Sequence, residues 1–152
     1  QSSKTMESMS DIVWSINPSN DSFEKVLVKM KVFAAEILEP LNMQYRFSET
    51  GVEPGITLNA KQRKNLFLIF KEAVNNAAKY SRATEVVISF GQHHQTITMT
   101  IADNGIGFDS KQTSDGNGLR NMEARAHDLQ AKFSLKSEKG LGTTIIVELP
   151  IT

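Results

Sequence analysis

The sequence predicts an α/β fold, a two-layer sandwich in which helices cover one face of a β-sheet. Three observations support this class: helical and strand-like apolar patterns alternate along the 152 residues, 39% of the residues are hydrophobic, and one glycine-rich polar segment interrupts the pattern at residues 103–118. After a short helical segment, the predicted order is helix, strand, helix, two strands, polar segment, helix, two strands. That order is typical of helices layered on a sheet within one domain.

Composition excludes several classes of function. The chain has no cysteine, which rules out disulfides, thiol catalysis and cysteine-ligated zinc, and favours a cytoplasmic location. Seventeen basic residues balance seventeen acidic ones, so no overall field attracts nucleic acid or an anionic membrane. No apolar run reaches the roughly 18 residues of a membrane span. Because the chain starts at Gln1 and leads directly into a helical pattern, we expect it to be part of a longer protein.

The elements follow from the spacing of apolar residues. Three- and four-residue spacing predicts helices at residues 6–16, 23–37, 59–80 and from 117 or 118 to about 130. Alternation and β-branched residues predict strands at residues 43–47, 86–90, 96–101, 132–137 and 143–149. Residues 91–95 are expected to connect a hairpin, and residues 103–118 are too polar for a core element and too long for a tight turn.

One helix face carries a candidate site. Glu72, Asn76, Lys79 and Tyr80 follow one another at positions i, i+4, i+7 and i+8, which places an acid, an amide, a cation and an aromatic ring along one face. Taken alone, a polar helix face is more often simply exposed to solvent. The neighbouring glycine-rich segments favour a binding function instead.

Three glycine-rich segments lie downstream. Residues 103–107, DNGIG, follow an apolar strand, where glycines admit a planar ligand and a carboxylate can accept from an exocyclic amine. Residues 116–119, GNGL, lead into a helix whose free N–H groups form an anion site. Residues 140–144, GLGTT, are by themselves compatible with an ordinary hairpin turn. Each segment is weak evidence alone, but the order and spacing of all four features indicate a nucleotide site.

Together these residues resemble the N box and the three glycine boxes of the GHKL ATP-binding superfamily. This superfamily includes sensor histidine kinases, DNA gyrase, heat-shock chaperones and mismatch-repair ATPases. The resemblance spans about residues 58–150, with the N box at residues 70–80. It implies a Bergerat-type fold, in which helices cover one face of a mixed sheet and the glycine-rich segment is an ATP lid.

Two further segments narrow the resemblance. Residues 119–126, LRNMEARA, are similar to a pattern in histidine kinases that are paired with helix-turn-helix (NarL/LuxR-like) response regulators. Residues 11–18, DIVWSINP, are similar to the end of the second dimerisation helix in the same kinases. The resemblance therefore implies a dimerisation-helix end and linker at residues 1–18 and an ATP-binding catalytic domain at residues 19–152.

The family's functional residues map onto individual positions here. The resemblance implies that Asp103 hydrogen-bonds the adenine amino group and that Asn76 holds a Mg²⁺ ion bridging the ATP phosphates. It implies that Glu72 lies near that ion or polarises the attacking group. The resemblance also implies that Lys79 contacts phosphate, that Tyr80 borders the pocket, and that Gly105 and Gly107 allow close approach to adenine. It implies that Thr143 bonds the base, and that Gly116, Gly118 and the Leu119 amide wrap the phosphates.

The nucleophile of such a kinase is a histidine, and none here suits the role. His93 and His94 are expected in a hairpin turn and His127 on the helix after the lid, whereas the family's acceptor lies on an upstream helix. The implied partners are therefore the protein's own dimerisation and phosphoacceptor domain, within a homodimer, and a response regulator. Direct nucleic-acid or membrane contact is not expected of this chain, and membrane anchoring of the parent protein stays open.

Three alternatives share the same boxes. A GHKL ATPase that drives conformational change also keeps a base at the position of Glu72, four residues before Asn76, but length and residues 119–126 argue against it. An anti-sigma-factor serine kinase fits less well with the helix at residues 23–37 and the segment around Trp14. The third alternative is a degenerate module that binds nucleotide or a partner without catalysis, and the intact boxes argue against it.

Overall fold

The structure is a computed structural model that describes residues 8–80, 82–107 and 117–151. Four α-helices and five β-strands form in this part of the chain. In chain order they are α1 (Met9–Ile16), α2 (Phe23–Leu38), β1 (Gln44–Thr50), α3 (Ala60–Tyr80), β2 (Glu85–His93), β3 (Thr96–Asp103), α4 (Asn117–Asp128), β4 (Lys132–Glu138) and β5 (Gly142–Pro150). Short 3₁₀ turns at Pro18–Asn20 and Glu39–Leu41 follow α1 and α2.

The five strands form one mixed sheet in the order β1-β2-β3-β5-β4. β1 runs parallel to β2, and the other neighbouring pairs are antiparallel. Strands β2, β3 and β5 alternate between buried and half-buried residues, so one sheet face contributes most of the core. The helices pack on that face, and the predicted two-layer α/β sandwich with a mixed sheet is confirmed.

The core is aromatic and aliphatic, and α3 runs through its centre. Phe70 of α3 and Phe90 of β2 are almost fully buried, and Phe47 of β1 contacts both rings, with centroids 6.4 and 5.5 Å away. Burial on this scale stabilises by about 1.5–3 kcal/mol for each large apolar side chain. The helix that carries the predicted N box is therefore fixed by packing over most of its length.

Helix starts follow the capping chemistry of the sequence. Asn59 precedes α3, and its Oδ1 accepts from the Gln62 N–H at 2.8 Å, while the Gln62 Oε1 accepts from the Asn59 N–H at 2.9 Å. This reciprocal pair is a capping box. Ser22 similarly caps α2 by accepting from the Lys25 N–H. The predicted start at residue 59 therefore differs from the observed start only by the cap residue.

Several predicted boundaries were wrong. Residues 91–93 continue β2 instead of connecting the hairpin, because Gly91 pairs with Thr98 and His93 with Thr96. The turn consists of His94 and Gln95 alone, with His94 at a φ of 54°, the left-handed conformation typical of tight hairpins. His93 consequently ends a strand rather than lying in the turn.

β1 and α4 also differ from their predicted lengths. β1 extends to Thr50, three residues beyond its predicted end at residue 47, because its parallel pairing with β2 continues as far as Gly91. The helix α4 ends at Asp128, before the predicted end near residue 130, since Gln130 takes a left-handed φ of 56° and closes the helix.

Helix α1 is docked on α3 by buried polar contacts. The Arg63 guanidinium, 3% exposed, donates through Nε to the Ser15 carbonyl at 3.0 Å and through Nη1 to the Leu58 carbonyl at 2.6 Å. At the other end of α1, the Asp11 carboxylate binds the Lys71 ammonium at 2.6 Å and the Lys29 ammonium at 3.4 Å. We call Asp11, Lys29 and Lys71 the α1 ion cluster. Among the described helices, none is long and apolar enough to span a bilayer.

Candidate functional site

The acid and amide of the predicted N box lie together on α3. Glu72 and Asn76 are one turn apart, and the Asn76 side-chain amide donates a hydrogen bond to the Glu72 carboxylate. The exposed Lys79, near the end of α3, contributes a positive charge that acts on Glu72. An oxygen-rich pair next to a cation is the environment that a phosphate-bound magnesium ion uses.

Burial raises the pKa of the Glu72 carboxyl. The charges of Lys79 and Arg125 and the hydrogen bond from Asn76 act in the opposite direction and offset only part of the effect. A carboxyl with a raised pKa is better suited to take a proton near neutral pH than an exposed one. Glu72 is therefore a stronger proton acceptor than an exposed glutamate.

The start of α4 lies directly against this carboxylate. A Cβ built on Gly118, in the first turn of α4, would collide with the Glu72 Oε2 atom. Glycine at this position is what allows the helix start and the carboxylate to approach each other so closely. Leu119 follows in the same turn and packs partly buried against the core, so the second glycine box and the N box meet.

Asp103 ends β3 and lies half-buried. Its Oδ1 accepts a hydrogen bond from the Gly105 N–H at 2.9 Å, and the carboxylate also accepts from the Thr143 N–H of β5. Burial raises the pKa of the Asp103 carboxyl, and the two backbone donors lower it by less. The carboxylate is thus held in a fixed orientation, with the chemistry to accept from an amine of a planar base.

Close backbone contacts bring the first and third glycine boxes together. A Cβ on Gly107 would collide with the Glu138 carbonyl, and a Cβ on Gly142 would collide with the Asp103 carbonyl. Both glycines also have positive φ, 63° and 81°, which side chains rarely tolerate. Gly107, which is predicted to allow close approach to adenine, and Gly142 therefore both allow the two boxes to pack on each other.

The structure thus gathers the predicted residues into two clusters. The first joins Glu72, Asn76 and Lys79 of α3 with the start of α4. The second joins Asp103 and Gly105 at the end of β3 with the start of β5. Gly116 and the side chain of Tyr80 lie outside the part of the chain that the structure describes.

Sequence reasoning did not assign a site role to two residues that the structure places here. Arg125 of α4 acts electrostatically on Glu72 and donates to the Asn65 Oδ1 at 3.1 Å. Ser137 of β4 is buried, and its Oγ lies 2.8 Å from the Thr143 Oγ1. The sequence does contain a sign of the role of Ser137. Phe133 and Leu135 mark the inward-facing positions of β4, and Ser137 places a polar residue at the next such position.

The chain matches the family model described as "Histidine kinase-, DNA gyrase B-, and HSP90-like ATPase" over residues 61–152. It is 34% identical over 88 residues to the signal transduction histidine-protein kinase/phosphatase DegS of Brevibacillus brevis, covering 57% of this chain and 23% of DegS. It is 31% identical over 144 residues to the sensor histidine kinase MctS of Rhizobium johnstonii, covering 87% of this chain and 30% of MctS. The chain therefore spans less than a third of the length of either relative.

The fold is similar to that of the catalytic domain of histidine kinase ThkA, with a TM-score of 0.71 at 15% identity. The similarity covers 86% of this chain and 94% of that domain. The match over more than half of the chain confirms the resemblance inferred from the N box and glycine boxes. The chain belongs to the histidine kinase-, DNA gyrase B- and HSP90-like ATPase family, and within it is an ATP-binding catalytic domain of the histidine kinase type.

Proposed function

We propose that this chain binds Mg²⁺ and ATP as the catalytic domain of a sensor histidine kinase. In the intact protein it donates the γ-phosphoryl group to a histidine on an upstream dimerisation domain, for onward transfer to a response regulator. The observation that carries the proposal is the half-buried Asp103 carboxylate, held by two backbone donors beside a glycine-lined strand end. Family membership supplies ATP as the nucleotide.

The base end of the site is formed by the first and third glycine boxes. Asp103 accepts from the exocyclic amine of adenine, and Thr143 bonds the base directly or through water. Gly105 and Gly107 admit the planar base because they carry no side chain. The hydrogen bonds that Asp103 accepts from Gly105 and Thr143 support this assignment, since they fix its carboxylate before a ligand arrives.

The phosphate end is formed by α3 and the start of α4. Asn76 provides an oxygen ligand to Mg²⁺, which supplies charge neutralisation to the phosphates when it is bound. Lys79 contacts phosphate, and Gly118 and the Leu119 amide wrap the phosphates together with Gly116. The adjacency of Glu72, Asn76 and the Gly118 backbone supports this assignment, as does the positive charge of Lys79 on Glu72.

Glu72 polarises the attacking imidazole. In the transfer, the acceptor nitrogen forms a bond to the γ-phosphorus while the bond to the β–γ bridging oxygen breaks, and the imidazole N–H proton is given up. The raised pKa of the Glu72 carboxyl supports a role in attracting that proton. Most of the rate acceleration in such a reaction comes from positioning and electrostatics.

Residues 1–18 are proposed as the end of the second dimerisation helix and its linker, and residues 19–152 as the catalytic domain. In α1, the apolar residues Met9, Val13 and Ile16 are spaced i, i+4 and i+7 and are 75%, 55% and 62% exposed. An exposed apolar stripe on a helix is typical of one that packs against a partner. The proposed partners are the dimerisation domain of a homodimer and a response regulator, with the chain located in the cytoplasm.

The proposal is tested first by calorimetric titration of ATP, with and without Mg²⁺, into the chain. We expect Asp103→Ala to abolish binding and Asn76→Ala to remove its magnesium dependence, while Asp128→Ala, an exposed aspartate at the end of α4, leaves binding unchanged. Absence of ATP binding by the unaltered chain would refute a nucleotide site.

The second test supplies a separate dimerisation domain carrying the acceptor histidine. Phosphoryl transfer that depends on Glu72 supports the kinase. Release of inorganic phosphate at the same rate without the acceptor domain would favour the ATPase alternative, and nucleotide binding with neither activity would favour the degenerate module.

A further inference from the structure

Three side chains form a row across the sheet at the end where the base is proposed to bind. Asp103 of β3 pairs with Thr143 of β5, and Thr143 pairs with Ser137 of β4. Directly paired residues point to the same sheet face. These three occupy the inward-facing positions that continue the buried alternation of their strands, so the row lies at the boundary between core and site.

The Ser137 hydroxyl makes two contacts at the end of this row. The Ser137 hydroxyl donates to the Gly142 carbonyl at 3.3 Å, and its oxygen lies 2.8 Å from the Thr143 Oγ1. A hydroxyl carries a single proton and two lone pairs. Either hydroxyl can be the donor in the short contact, and directing the Ser137 proton at Gly142 leaves that contact to be made by the Thr143 proton. The lone pairs of Thr143 then remain to accept from a ligand.

We propose that Ser137 is a positioning residue that fixes the Thr143 hydroxyl as an acceptor beside the Asp103 carboxylate, and so selects a 6-amino purine over a 6-oxo purine. The inference rests on the proposed function, since it concerns the base end of the same site. A 6-amino group donates to both acceptors, whereas a 6-oxo group places an oxygen against them and leaves buried acceptors unpaired, which is strongly unfavourable.

Burial makes Ser137 suitable for this role. Ser137 is 8% exposed, and it lies on β4, which pairs with β5 along its whole length. Water therefore competes little for its hydroxyl, which contacts the Gly142 carbonyl and the Thr143 hydroxyl. Without Ser137, the Thr143 hydroxyl is able to rotate and to donate to a 6-oxo group.

The test compares the binding of ATP and ITP, which differ at position 6 of the base, by calorimetry. We expect Ser137→Ala to weaken ATP binding about three- to tenfold, which corresponds to the loss of one oriented hydrogen bond. It should weaken ITP binding less, so that the ratio of the ATP affinity to the ITP affinity falls. Thr143→Val should lower the ratio similarly, and the double variant should lower it no further. Ser134→Ala is the matched control, because it makes the same change on β4 at a residue that does not touch Thr143.

An unchanged ratio in Ser137→Ala would overturn the inference, as would an additive loss in the double variant. Thermal unfolding of each variant checks that the fold persists. Ser137→Cys, which replaces the hydroxyl with a weakly hydrogen-bonding thiol, takes the place of Ser137→Ala if the alanine variant fails to fold. Failure of the proposed function looks different, because the unaltered chain would then bind no ATP. If it binds ATP through Asp103 and Ser137→Ala behaves as the wild type, only the inference fails.

Discussion

Replacing Asp11 with asparagine should weaken the docking of α1 on α3 while leaving the rest of the fold intact. The Asp11 side chain is 10% exposed and binds Lys71 at 2.6 Å and Lys29 at 3.4 Å. The substitution keeps the shape of the side chain and removes its charge, so Lys29 and Lys71 lose the carboxylate that both of them bind. The α1 ion cluster is thereby broken with little change in packing.

The size of the effect follows from burial. Removing one partner of a buried ion pair costs about 3–5 kcal/mol. A groove of ≈ 660 Å³ beside Asp11 and Lys71 admits water, and asparagine keeps one acceptor oxygen, so we expect about 2–3 kcal/mol. That loss lowers the docking equilibrium constant about 30- to 150-fold. An eight-residue helix has little stability by itself, so undocked α1 unfolds.

Trp14, the sole tryptophan of the chain, reports on this event. It lies on α1, packs partly buried against the core, and has the Lys29 ammonium 5.1 Å from its ring centroid. We expect Trp14 fluorescence to change at a lower urea concentration in Asp11→Asn than the circular dichroism of the remaining fold. Asp128→Asn, the same change at an exposed site, is the control. If the fluorescence and circular dichroism transitions of Asp11→Asn coincide, at the same urea concentration as in the control, the role of the α1 ion cluster is refuted.

Acid should have the same effect as the substitution. Burial alone would raise the pKa of the Asp11 carboxyl, but the hydrogen bond and charge of Lys71, with contributions from Ser8 and Lys29, outweigh it and lower the pKa. A carboxyl with a lowered folded-state pKa stabilises the fold above its unfolded-state pKa, and the stabilisation disappears as pH falls through the folded-state value. Trp14 emission should therefore shift at acid pH in the wild type and be less pH-dependent in Asp11→Asn.

Three further predictions concern the site. Gly142→Ala should destabilise the fold by about 2–4 kcal/mol in urea unfolding, because it combines a positive φ with a collision against backbone. Gly140→Ala has the strained φ alone and should cost about 1 kcal/mol. Equal losses in the two variants would contradict the close contact at Gly142. Gly118→Ala should raise the stability by up to about 1 kcal/mol, because alanine has the higher helix propensity. It should nevertheless reduce the rate of phosphoryl transfer at least tenfold, because the new Cβ displaces the Glu72 carboxylate. An unchanged transfer rate would contradict this role of the close contact. Burial raises the Asp103 pKa, so ATP affinity should fall on acidification at a higher pH than it would if this aspartate were exposed. Calorimetry at several pH values measures the effect, and the ATP affinity of Asp103→Asn should lack this loss.

The sequence predicted those parts of the fold that depend on local patterns. The apolar spacing of α3 and the Asn59 cap place that helix within one residue, because helix periodicity and capping act over three or four positions. The β2–β3 connection was predicted too long, since the polar residues 91–93 have no apolar alternation. They form strand because their backbone pairs with β3, and propensity does not report on such pairing.

For the site, residue types were visible but pairings between distant segments were not. Glu72 and Asn76 could be placed on one face because they share a helix. The contact of Asp11 with Lys71 joins residues 60 positions apart, and the contact of Ser137 with Thr143 depends on the strand register of β4 and β5. Neither leaves a periodic signal, so only a three-dimensional structure reveals them.

The contact between Glu72 and Gly118 has a consequence for the order of events in the site. The carboxylate lies where the first turn of α4 begins, and a helix start favours one anion at close range. Under the proposed function, a phosphate bound at this helix start would repel the Glu72 carboxylate, so the two anions would compete for the same place. Nucleotide binding would then change the position of the residue that is proposed to attract the proton.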